Sequence, residues 1–165
     1  EHDRGGDGRM IVLKKEDLRD QAGMERAFLG YFEEAAVEFA GTFNVLLDVK
    51  LVSCDFEKSS VVLAMDPKPW MRNPMNILHG GVTASLLDMT MGLLCRYCSG
   101  GHMTPTVKMD VSYLRSGPMD KRLYVRADLT KRGMSVCYAV GSMWAEGAED
   151  KLIATASAAY YVTKR

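Results

Sequence analysis

The chain has 165 residues, 47% of them hydrophobic and 25% charged, which suits one domain with an ordinary core. Lys plus Arg and Asp plus Glu balance at 21 each, so no global field draws the protein to nucleic acid or to an anionic membrane, and any anionic ligand must be held by local groups. The only N-terminal apolar run, Met10 to Leu13, is far too short for a signal-peptide core or a membrane span; a cytoplasmic protein is the expectation.

Residues 1–9 are polar and Gly-rich and read as a tail outside the fold. Residues 10–43 read as a helical segment: Met24, Phe28, Phe32, Ala35 and Phe39 recur at helical spacing with Glu25, Arg26, Glu33, Glu34 and Glu38 between them, which predicts an amphipathic helix over Met24–Ala40 ending near Gly41. Asn44–Phe56 and Ser59–Asp66 then read as a hairpin around Glu57-Lys58. The stretch from Pro67 to Pro74 carries three prolines in eight residues and is a loop of restricted shape.

That loop delivers the chain to His79-Gly80-Gly81. Two glycines let the backbone turn sharply and approach a ligand with no Cβ in the way. From Val82 to Leu94 the apolar residues leave no wide polar face, the pattern of a helix enclosed on most sides. Asp88 is the one charge between His79 and Arg96, and an ionised carboxylate in an apolar setting is costly unless paired or neutralised. It lies about two turns in, too far for a capping role in the first turn. Asp88 is therefore a candidate functional residue, against a buried ion pair or a reach to water at a subunit boundary.

After Ser99-Gly100-Gly101, four segments alternate apolar and polar residues with the period of half-buried strands: Thr104–Arg115, Lys121–Thr130, Met134–Ala145 and Lys151–Thr163. They read as four successive antiparallel strands, a meander turning at Ser116-Gly117-Pro118, Arg132-Gly133 and Gly147–Asp150. The order α-ββ-α-ββββ leaves one long apolar helix to be covered by a single curved sheet.

Four cysteines include Cys95-Arg-Tyr-Cys98, the C-x-x-C spacing of redox and zinc sites. No second close pair or histidine partner accompanies it, and it ends a helix instead of opening one, where a thiol pKa would be lowered. Free reduced thiols are expected. His79 has no metal-ligand spacing to His2 or His102.

The combination Asn73-x5-His79-Gly80-Gly81-x6-Asp88, opening an apolar helix and followed by four strands, resembles the hotdog-fold acyl-CoA thioesterases of the PaaI-like (phenylacetate-pathway) group. The likeness runs from about Leu46 to Val162 and takes in the strand Thr106–Pro118 and the turn Lys131-Arg132-Gly133. It implies an α+β hotdog fold, a curved antiparallel sheet wrapped around a long central helix, with residues 44–165 as the thioesterase domain and the N-terminal helix as an extra. The implied reaction is acyl-CoA plus water giving acid plus CoA, with no metal and no cofactor, since CoA enters as part of the substrate.

The resemblance also implies roles. The backbone N–H of Gly80 matches an oxyanion donor, helped by the positive end of the helix dipole; Gly81 lies beside it against the substrate. Asp88 matches a catalytic carboxylate, acting as general base or as nucleophile. Asn73 matches a position whose amide holds the thioester or the water, or is a turn residue before Pro74. Thr106 matches a hydroxyl that orients the carboxylate, or is a β-branched residue suited to its strand. His79 either bonds the substrate carbonyl or holds the loop. Arg115, Lys131 and Arg132, with Arg72, are candidates for the CoA phosphates, or solvated surface charges. The twelve methionines are core filler or the lining of an adaptable acyl pocket.

Asp88 lies roughly 10 to 14 Å from Gly80 at ~1.5 Å rise per residue, so one copy does not bring both to one carbonyl. In the family the helices of two subunits pair antiparallel, which implies a homodimer with two sites, expected to pair further into a tetramer. Two other functions remain open on the sequence: a hydratase or dehydratase of acyl thioesters, and a non-catalytic acyl-CoA-binding protein.

Overall fold

The structure, a computed structural model, describes residues 11–163; the expected tail at 1–9 lies outside them. The elements in chain order are a 3-10 turn at Lys15–Leu18, α1 (Gln21–Glu38), a single helical turn α2 (Phe43–Leu46), β1 (Lys50–Asp55), β2 (Ser60–Met65), a 3-10 turn at Pro69–Met71, α3 (Gly80–Cys98), β3 (Thr106–Tyr113), β4 (Leu123–Arg132), β5 (Val136–Ala145) and β6 (Ala154–Tyr161). Six strands form one antiparallel sheet in the order β1-β2-β4-β5-β6-β3. Its inner face wraps α3. This is the hotdog architecture.

Two expectations need correction. The last four strands are not a simple meander: β3 pairs with β6 instead of β4, so Leu114–Arg122 carries the chain from one edge of the sheet back to its interior. The second correction concerns Asn44–Val49, read as strand. Residues Phe43–Leu46 form a helical turn, and Asp48 takes a left-handed φ of 54° that no strand accommodates. The first strand therefore begins at Lys50.

Strands β4, β5 and β6 alternate buried and open positions. Ala127, Ala139, Ala156 and Ala158 are buried despite alanine's modest strand preference, because the helix lies close. At Gly141 an added Cβ would stand 3.0 Å from Leu87 Cδ2, so only a residue without a side chain fits under α3 there. Against these small residues α3 presents Leu86, Leu87, Met91 and Leu94, all fully buried.

Helix α1 is capped by Asp20, whose carboxylate accepts from Gly23 N–H at 2.7 Å. It is tied to the rim of β1 by Gln21, which donates to the Cys54 carbonyl at 2.9 Å and accepts from Phe56 N–H at 2.9 Å. Phe28 packs on Tyr97 with ring centroids 5.7 Å apart. Among the described residues no helix is long and apolar enough to cross a membrane.

Candidate active site

The start of α3 is built by three local devices. His79 is the N-cap, with extended backbone, and its Nδ1 accepts from Gly81 N–H at 2.9 Å. Accepting there leaves its proton on Nε2. A Cβ on Gly81 would stand 3.0 Å from that Nδ1, so the second glycine is what allows the histidine to fold back as a cap. The loop before the cap is held by Gly117, whose carbonyl accepts from Leu78 N–H at 2.9 Å and whose missing Cβ would lie 2.8 Å from Leu78 Cβ. The segment Ser116-Gly117-Pro118, read as a turn, is also the clamp on the loop leading to His79.

Gly80 is the first residue of α3. Its carbonyl accepts from the Tyr113 hydroxyl at 3.0 Å. Its N–H is among the first four of the helix, which have no intrahelical acceptor, and the hydrogen bonds of the described residues give it no other. It lies at the positive end of the helix dipole, an orientation suited to an anionic oxygen.

Asp88 is half-buried on α3. Oδ1 accepts from Thr106 Oγ1 at 2.7 Å and from the Tyr160 hydroxyl at 3.1 Å. The same hydroxyl lies 2.9 Å from the Asp88 carbonyl. Thr106 and Tyr160 are cross-strand partners of β3 and β6, so one rung of the sheet supplies both donors. Gly92, one turn beyond Asp88, makes room: a Cβ there would meet the Tyr160 ring at 3.2 Å. Burial and the adjacent Asp88 charge push the Tyr160 phenol well above its ordinary 10.0, so it remains a donor at all working pH values. The bonds on Oδ1 fix the carboxylate and leave Oδ2 open to a ligand or a water.

Asp88 and Thr106 thus meet as expected. Sequence reasoning missed Tyr160. Its signal is visible in hindsight: the buried stripe Ala154, Ala156, Ala158 of β6 ends in the one large side chain with a polar tip, fully buried at 1% exposure, which requires a partner. Asn73 shapes the turn before His79, its Oδ1 accepting from Met75 N–H at 3.0 Å and Ile77 N–H at 3.3 Å. The Nδ1 of His79 is used in the cap.

The cations do not converge within one copy. Arg115, exposed, donates to the Leu152 carbonyl at 2.9 Å and lies past the Tyr113–Ala154 end of the β3–β6 pair. Lys131 and Arg132, also exposed, lie near the Tyr160 end through Cys137, about 20 Å away along the strands at ~3.3 Å per residue. The cysteines are free. Burial pushes the Cys98 thiol up to about 11 and raises that of Cys95 further, the opposite of a reactive thiol. Among the described residues no group of three His, Cys, Asp or Glu is placed to hold a metal ion.

A helix N-terminus with an open N–H, and a carboxylate steadied by two hydroxyls on a helix inside a curved sheet, are groups suited to stabilising an oxyanion and to general-base chemistry. The sequence profile of the Thioesterase superfamily matches residues 75–151. Acyl-coenzyme A thioesterase 13 of Mus musculus is 31% identical over 101 residues, 60% of this chain and 69% of that protein. Among solved structures, zebra fish thioesterase superfamily member 2 superposes with a TM-score of 0.71 at 25% identity, over 81% of this chain and 94% of the other. A putative thioesterase of Ralstonia eutropha JMP134, a phenylacetic acid degradation-related protein, gives a TM-score of 0.67 at 28% identity over 80% and 99%. The chain belongs to the thioesterase superfamily, as a PaaI-like hotdog thioester hydrolase.

Proposed function

We propose that two copies of this chain together hydrolyse an acyl-CoA thioester to the free acid and CoA. The observation that carries the reading is the Asp88 carboxylate, held by Thr106 and Tyr160 at 2.7 and 3.1 Å on one oxygen with the other open. In this mechanism Asp88 takes a proton from water, the hydroxide attacks the thioester carbonyl, and the N–H of Gly80 from the second copy stabilises the oxyanion. Collapse breaks the carbon–sulfur bond. The CoA thiolate leaves and takes up the proton that Asp88 removed, so water is the only co-reactant and no cofactor is needed. The name of the mouse relative supports CoA as the leaving group.

Two features support the second copy. Asp88 and the Gly80 N–H are about 12 Å apart along one helix at ~1.5 Å per residue, too far to share a carbonyl. Strand β3 is a sheet edge with Val107 and Tyr113 63% and 56% exposed, and Ala84, Ser85 and Asp88 form a half-open stripe on α3. An edge of that kind is a template for pairing with another chain. Sedimentation reads the dimer, or a dimer of dimers, directly.

Subunit mixing tests the shared site. Asp88→Asn and Gly80→Val are each expected to be inactive in a thiol-release assay. A refolded equimolar mixture regains about one quarter of the wild-type sites, because half of the dimers are hybrid and each hybrid holds one intact site. A mixture as inactive as its parents, with hybrids demonstrated, would place both residues' work within one copy or outside the reaction.

A further inference from the structure

Helix α1 lies outside the stretch that resembles the family core. Its inner face is incomplete. A cavity of ≈ 430 Å³ opens between α1 and the Thr42–Val49 segment, lined by Phe32, Ala35 and Ala36 of α1, by its C-cap Phe39 and by Met89 of α3. A second cavity, of ≈ 310 Å³, holds Asp88, Thr106 and Tyr160. Tyr31, Asn44, Met89 and Met103 line both, so the two adjoin at Met89, the residue next to the carboxylate.

We propose that the α1 groove is the acyl-chain site, and that it takes a linear, uncharged aliphatic chain whose thioester sits at Asp88. This rests on the thioesterase reading and names its substrate class. Three observations carry it. The groove adjoins the carboxylate pocket, sharing Tyr31, Asn44, Met89 and Met103 with it, so a chain leaving the carbonyl has the groove beside it. Its walls are mainly aromatic and aliphatic, and desolvating a chain there is favourable in proportion to the area covered. The ionisable groups on its lining are Tyr31 and Asp48, and the carboxylate of Asp48 is paired with Lys68 Nζ at 3.3 Å, which leaves no unpaired cation on the lining to hold an anionic chain end.

Length follows from the helix. From Tyr31 to Phe39 the groove runs about 12 Å at ~1.5 Å per residue, room for roughly eight to ten carbons at about 1.3 Å of projected length per single bond. A compact aryl group fills only its mouth. Two unbranched methionines, Met89 and Met103, line both cavities and can move aside for a flexible chain.

The test fills the groove from its open side. Ala36 is an exposed helix position that lines the groove, so Ala36→Trp narrows it without disturbing the core. With butyryl-CoA the variant is expected to match wild type, and with decanoyl- and dodecanoyl-CoA its kcat/KM falls at least about tenfold. Equal rates for short and long chains in variant and wild type would overturn the proposal. So would a change in oligomeric state with an unchanged chain-length profile, which would mean that a second copy fills the groove. Titration of the non-hydrolysable thioether dodecyl-CoA separates this from catalysis: if no thioester is cleaved at all, loss of thioether binding in Ala36→Trp still supports the groove and undiminished binding still overturns it.

Discussion

The Thr106 hydroxyl donates to Oδ1 of Asp88 over 2.7 Å, a bond from the edge strand of the sheet to the middle of the central helix. It orients the one acidic side chain of α3. Asp88→Asn keeps the shape and removes the base, so kcat with an acyl-CoA is expected to fall by about 10² to 10⁴ while the protein stays folded. Thr106→Val keeps the branched shape and removes the donor; a fall of about tenfold is expected, the worth of one hydrogen bond to a charged group. Thr106→Ser restores most of it. Thiol release measured on the three variants is the check, and an undiminished Thr106→Val would reduce Thr106 to a strand residue.

Tyr160 joins stability to the same carboxylate. Its phenol is raised above 10.0 first by burial and then by the Asp88 charge, so the fold holds that proton more tightly than the unfolded chain does. Its contribution is full below pH 10 and is lost as pH climbs above it. Tyr160→Phe is therefore expected to lose about 1 kcal/mol at neutral pH and to show a shallower loss of stability above pH 10 than wild type. Denaturant titrations at neutral pH and above pH 10 measure both, and parallel curves for the two proteins would contradict the assignment.

Much of this was legible from the residues because periodicity reports burial directly. The enclosed helix, the hairpin and the last four strands follow from patterns that survive in the structure, and Asp88 was conspicuous as a lone charge in an apolar run. Strand order was not legible. The alternation of β3 says that it is half-buried but not which neighbour it takes, and nothing in Ser116-Gly117-Pro118 announces that the chain crosses to the interior. Asn44–Leu46 failed for a related reason: a short, mainly apolar segment has the same composition in a helical turn and in a strand. Asn73 was balanced between turn and chemistry because its amide serves either; in the structure its Oδ1 is taken by the N–H groups of Met75 and Ile77. Tyr160 was missed because a tyrosine at the end of an alanine stripe is ordinary until a carboxylate is found at its hydroxyl.

The cysteines give a second pH dependence, independent of the site. Burial raises Cys98 from 9.0 to about 11, so its contribution to stability is full below pH 9 and is lost as pH rises towards 11. Cys98→Ala is expected to flatten the decline of Tm between pH 8.5 and 11. Thiol labelling at pH 8 should modify half-buried Cys54 first, with Cys95 and Cys137, both fully buried, reacting only on unfolding. Rapid labelling of Cys95 in the native protein would contradict the packing of the C-terminal half of α3.

The start of α3 depends on a pair of residues that act as one. The His79 Nδ1 accepts from the Gly81 N–H at 2.9 Å, and a Cβ on Gly81 would stand 3.0 Å from that nitrogen. His79→Ala removes the acceptor and leaves the N–H without its cap, expected to cost about 1 kcal/mol. Gly81→Ala leaves both partners present but drives the ring out of place, and loses the same bond by a different route. The two losses therefore share one interaction. The double variant is expected to lose about as much as either single one, with a coupling of about 1 kcal/mol in a urea-denaturation cycle. Strict additivity would mean that the ring and the glycine act separately.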